Sequence, residues 1–189
     1  MDMNTLHDIE LREDTRLNAA SLLLEPVGST RDVGVTLSTF PLDSDLMAHD
    51  VEARLRLTRL RTGVLAQGAV EGAVELECAR CLTVYVQPFS ATFSEQFRQS
   101  VDVRSGAYLP GSPEDDGDDN GDEDEAGFTI DEAHQLELGE LLRQWILLAL
   151  PMRPDCGDLC PGPPEIAHEQ ESMTDQRFAA LERLLHDDE

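Results

Sequence analysis

Val51, Ala53, Leu55 and Leu57 alternate with Glu52, Arg54 and Arg56, a period of two that predicts a strand with one buried face. At Leu60 the apolar phase slips by one residue, which predicts a bulge near Thr58 or Arg59. Gly63 marks a turn, and strands are expected over Val64–Gly68 and Val70–Glu77. From Gly72 to Val86 the alternation continues on both sides of Cys78-Ala79-Arg80-Cys81. That pattern predicts two antiparallel strands joined by a tight turn that carries both thiols. Val84, Val86 and Phe89, then Ala91, Phe93 and Phe97, extend it, with Pro88 as a local irregularity. Upstream, Val33–Phe40 reads as a strand ended by Pro41, and Asn18–Pro26 as a brief helix capped by Asn18 and stopped by Pro26. Residues 1–16 hold no persistent period and read as a loose start, either without regular structure or with one short strand.

Further on, the period lengthens. Leu138, Leu141, Leu142, Trp145 and Ala149 recur at helical spacing, and Pro151 stops the helix. Ile146, Leu147, Leu148 and Leu150 make its last turns apolar almost all round, so it is either buried on several sides or covers a partner. Phe128-Thr129-Ile130 reads as an edge strand before it. After it, Thr174 caps a last helix with a stripe of Phe178, Leu181, Leu184 and Leu185, read as a docked tail or a partner-binding helix. The fold class is therefore α+β. Residues 1–189 form one domain, a meandering antiparallel sheet or partial barrel with one buried helix and short terminal helices.

Composition alters this picture in two places. Nine of the twelve residues from Glu114 to Glu125 are acidic and none is apolar, so the stretch cannot offset the entropy of ordering. A disordered acidic loop is expected at about 111–127 and a mobile Pro/Glu-rich segment at about 161–172. The loop reads either as a nucleic-acid mimic for a basic surface or as a solubilising insertion. The whole chain carries 39 acidic residues against 14 arginines and no lysine, a formal charge of −25. Such a balance opposes non-specific adsorption to nucleic acid and favours a basic protein partner. RNA contact requires a segregated cationic face, for which the candidates are Arg54, Arg56, Arg59, Arg61 and Arg80. The alternative is that these are solvent-facing residues paired with the many carboxylates.

The candidate chemistry lies in the cysteines. Cys78 and Cys81 sit on the predicted hairpin, and Cys156 and Cys160 on a Gly/Pro turn after the helix. Thiolates are soft anionic donors, and four of them saturate a tetrahedral zinc ion. One structural zinc held by these four residues is one reading. The other makes the first pair a turn element and the second pair incidental. A redox Cys-x-x-Cys belongs at a helix N-terminus in a βαβ unit, and here strands flank it. His7, His49, His134, His168 and His186 lie scattered in polar stretches, and no catalytic constellation is legible. The polar start is unlike a signal peptide, and the run Trp145–Leu150 is too short to span a bilayer. A non-enzymatic chain in the cytoplasm, with no membrane contact, is expected.

Several segments in order resemble the YceD family of large-ribosomal-subunit RNA accumulation proteins. They are Cys78-Ala79-Arg80-Cys81-Leu82, Phe93-Ser94-Glu95-Gln96-Phe97, Leu138-Gly139-Glu140-Leu141-Leu142-Arg143, Leu147-Leu148-Ala149-Leu150-Pro151-Met152 and Asp175-Gln176-Arg177-Phe178-Ala179-Ala180-Leu181. The resemblance implies a cytoplasmic, non-enzymatic role in synthesis, processing or stability of 23S ribosomal RNA. It implies as partner a large-subunit ribosomal protein or a pre-ribosomal particle, with direct binding of rRNA as the alternative. Many members end their second cysteine cluster in Cys-x-x-Cys-Gly, where this chain has Cys160-Pro161-Gly162-Pro163.

Overall fold

The computed structural model describes residues 9–109, 127–158 and 160–163. The elements are β1 (Ile9–Arg12), β2 (Arg16–Asn18), α1 (Ala20–Leu24), β3 (Thr30–Asp43), β4 (Leu46–Arg59) and β5 (Gly63–Glu77). After these come β6 (Val84–Gln99), β7 (Thr129–Ile130), β8 (Gln135–Glu137) and α2 (Leu138–Ala149). The strands form one sheet in the order β1-β3-β4-β5-β6-β7-β8-β2. Its centre is the antiparallel meander β3 to β6, and the sheet curls into an open half-barrel. The α2 helix packs against β6, β3 and β2, strands from both halves of the sheet order, so it lies across the concave side. The expected α+β architecture, with one buried helix, is the one observed.

Alternation sets the core. Val33, Val35, Val51, Leu55, Leu57, Val64, Phe93 and Phe97 point inward and meet Leu138, Leu141, Leu142 and Ile146 of α2. Phe93 reaches Trp145, with ring centroids 6.4 Å apart. Leu148, by contrast, is 75% exposed, so α2 has a solvent side despite its apolar last turns. Glu137 fixes the start of α2, accepting a hydrogen bond from the Gly139 amide at 2.9 Å and one from the Thr15 hydroxyl at 2.7 Å.

The structure corrects several sequence expectations. Strand β3 runs through Pro41 to Asp43, because β1 stops short of this end and only β4 pairs there, with a register irregularity at Pro41/Asp43. The bulge in β4 lies between His49 and Glu52, where Asp50 has φ +51°, and not at Thr58 or Arg59. Leu60 is out of phase because the strand has ended, and its amide donates to the Gly63 carbonyl in the turn. The two strands expected between Val64 and Glu77 are one. Gly68 continues β5 opposite Leu55, and a Cβ there would lie 2.3 Å from the Arg54 carbonyl oxygen. Thus the glycine marks a close approach and not a turn. β7 is an interior strand, flanked by β6 and β8. Asn18 ends β2, and its side chain accepts from the Ala20 amide at the start of α1. The acidic run, most of the 161–172 segment and the helix expected after Thr174 lie outside the described residues, as do residues 1–8. No helix among the described residues is long and apolar enough to cross a membrane.

Candidate functional site

The last residue pair of the β5–β6 hairpin is Glu77 with Val84, which leaves Cys78–Thr83 as the connecting turn. The Cys78 amide donates to the Thr83 carbonyl at 3.0 Å and the Leu82 amide to the Cys78 carbonyl at 2.9 Å. Leu82 takes φ +61° to close the turn. Both thiols are thereby held on one side of a tight loop, as the Cys-x-x-Cys spacing predicts.

The second pair arrives on the segment that Pro151 releases from α2. The Ala79 amide donates to the Pro154 carbonyl at 2.9 Å, and the Asp155 amide donates to the Tyr85 hydroxyl at 2.9 Å. The Arg80 guanidinium donates to the Asp155 carboxylate at 2.7 Å and to the Gly157 carbonyl at 3.0 Å. Gly157, at φ +97°, turns the chain so that the Cys160 amide donates to its carbonyl at 3.1 Å. Arg80 is therefore a strap between the two cysteine loops.

All four sulfurs lie within 4.8 Å of one another. Cys78 Sγ is 3.9 Å from Cys160 Sγ, and Cys81 Sγ is 3.6 Å from Cys156 Sγ. A tetrahedron with zinc–sulfur bonds of about 2.3 Å has sulfur–sulfur edges of about 3.8 Å, whereas a disulfide is about 2.05 Å. The cysteines are free thiols at metal-ligand spacing. Cys78 is buried and the other three are half-buried.

The electrostatics are those of a crowded anion site. Backbone hydrogen bonds at Cys81, Arg80 and Cys156 pull the Cys78 thiol down to about 6, and the Arg80 amide lies 3.5 Å from its sulfur. The Thr83 hydroxyl and amide lower Cys81. Burial, then the neighbouring thiols of Cys160, Cys78 and Cys81, push Cys156 up to about 12. Four thiolates cannot coexist there without a compensating cation, and a soft divalent ion is the group this donor set suits.

The five arginines do not form one face. Arg54 and Arg56 project from the outward side of β4. Arg54 is 88% exposed, while Arg56 makes a two-pronged ion pair with Asp32 at 2.7 and 2.9 Å. These residues border an open trough of about 710 Å³ floored by Gly34 and Gly68. Arg59 has the opposite parity and turns inward, donating to the carbonyls of Leu23, Leu60 and Gly63. Arg61 is exposed in the β4–β5 turn. Arg80 lies at the far end of β5, about 45 Å of strand away. Sequence reading overlooked Tyr85 and Asp155 as links between the cysteine loops, because a single hydroxyl or carboxylate carries no periodic signal.

A family model described as "Large ribosomal RNA subunit accumulation protein YceD" matches residues 66–185. The uncharacterized protein Rv2926c of Mycobacterium tuberculosis strain H37Rv is 34% identical over 140 residues, covering 69% of this chain and 60% of its own length. The uncharacterized protein Mb2951c of Mycobacterium bovis matches with the same figures. The chain thus spans about 60% of the length of the curated relatives it matches. No solved structure matches it.

Proposed function

Since the chain belongs to the YceD family, we propose that it is a non-enzymatic accessory of ribosome biogenesis in the cytoplasm. It supports synthesis, processing or stability of 23S rRNA by binding a large-subunit ribosomal protein or a pre-ribosomal particle. The observation that carries this reading is the family match over residues 66–185, which takes in most of β5, the cysteine turn, β6 and α2. The formal charge of −25 supports a basic protein as the direct contact. Cys78, Cys81, Cys156 and Cys160 would hold one structural zinc, for which their spacing is suited. Four thiolates leave the ion no open position, so its contribution is to tie the hairpin to the segment after α2 and not to activate a substrate.

A second reading is direct RNA binding by the outward face of β4, favoured by the exposure of Arg54 beside the trough. Affinity purification of the tagged chain at mild salt, with identification of bound proteins and RNA, tests both. Enrichment of large-subunit proteins that survives R54E/R56E supports the first reading. Loss of all ribosomal material in that variant favours the second, and no ribosomal component with the wild type removes both.

A further inference from the structure

Toward the cysteine turn, the outward side of the sheet changes character. The register sets Glu77 beside Val84, Glu75 beside Val86, and Ala73 beside both Pro88 and His49. These positions share the side turned from the core, because the alternate residues Ala48 and Val74 are fully buried. Val84 and Val86 are 61% and 62% exposed, Leu82 in the adjoining turn 58%, and Met47 42%. Contiguous exposed apolar residues rimmed by polar ones mark interaction surfaces. Glu75 and Glu77 are exposed among them, and segments 37–53, 62–79 and 81–97 hold no arginine or lysine. Arg80, in the adjoining turn, is engaged by Asp155 and Gly157.

Charge selects the occupant. The chain's own residues 164–189 carry eight acidic residues against two arginines, and a second copy brings a formal −25; both are repelled by Glu75 and Glu77. A segment in which lysine or arginine alternates with apolar side chains matches both features of the face. We infer that this face docks such a basic protein segment, with its apolar side chains over Val84 and Val86 and its cations against Glu75 and Glu77. The inference rests on the ribosomal reading above and names the surface through which that partner is held. The hydrogen-bonded turn Cys78–Thr83 fixes the start of β6, so the thiol cluster holds the docking face in shape.

The test immobilises the full chain and offers it the proteins stripped by high salt from purified large ribosomal subunits, each retained component being identified by mass and remeasured pure. The expected result is retention of a basic component by the wild type. E75K/E77K and V84S/V86S should each weaken it about tenfold or more, and E52K/E132K, with the same charge change placed elsewhere, should not. Equal retention by all variants, or equal loss in E52K/E132K, overturns the face while leaving the ribosomal reading intact. No retention by the wild type removes that reading and the face with it. A photo-crosslinker at position 86 supplies a check that does not depend on substitution strength. A crosslink to the retained basic protein supports the face, and one to residues 164–189 or to a second copy overturns it.

Discussion

The sulfur of Cys81 lies 3.6 Å from that of Cys156, 75 residues further along the chain. Between those positions run β6, β7, β8 and α2, so this proximity closes that excursion back onto the β5–β6 turn. Arg80 reinforces the closure from between the first pair of thiols, through Asp155 and Gly157.

The native protein is expected to contain about one zinc ion per chain, measured by elemental analysis after purification without a metal-affinity tag. Cys78→Ser and Cys156→Ser each lose the ion and lower Tm. Amide exchange in chelator-treated protein should accelerate at 155–158 and 78–83 while Val35, Leu55 and Phe93 remain protected. Full metal-free stability and unchanged exchange would contradict a structural centre.

Truncation along α2 should separate its two sides. Ile146→Ala and Leu142→Ala, at fully buried positions, are expected to cost about 2–5 kcal/mol in denaturant unfolding. Leu148→Ala, at a largely exposed position, should leave the midpoint nearly unchanged.

Arg59 and Arg54, which spacing groups together, play different parts. Arg59→Ala removes donors to the carbonyls of Leu23 and Gly63 and should destabilise the chain by about 1–3 kcal/mol. Arg54→Ala should not move Tm, since its only close carboxylate among the described residues is Glu52 at 4.0 Å.

These contrasts indicate how far the sequence could be read. Period two located β3 to β6 because one face of the sheet is buried, and the helical period located α2 for the same reason. Where a strand end, a glycine or a bulge interrupts the alternation, sequence alone cannot distinguish a turn from a close approach. Gly68 reads as a divider between two strands, yet it lets β4 and β5 run on side by side. Spacing groups Arg59 with its neighbours, because it does not reveal that the next residues leave the strand. The thiols were legible as pairs. Their meeting depends on the path of α2 and on the hydrogen bonds of Tyr85 and Asp155, which no local pattern encodes.

Glu140 gives a pH prediction. Hydrogen bonds from Arg143 and Gln144 pull its carboxyl down to about 2, against an ordinary value of 4.5. A depressed carboxylate stabilises the fold above its unfolded pKa, and that stability is lost as pH falls from about 4.5 toward 2. The group is 42% exposed, so solvent screening limits its contribution to less than about 1 kcal/mol. Relative to wild type, Glu140→Gln should be less stable at neutral pH, with the difference vanishing near pH 2. A constant difference across that window would show that the loss is not one of charge.

The most direct measurement is the ratio of 23S to 16S rRNA in cells that lack this chain, set against cells complemented with it. The expected result is a lowered ratio with a deficit of mature large subunits on sucrose gradients, restored by the wild type and poorly by E75K/E77K. An unchanged ratio with a normal gradient profile would contradict it.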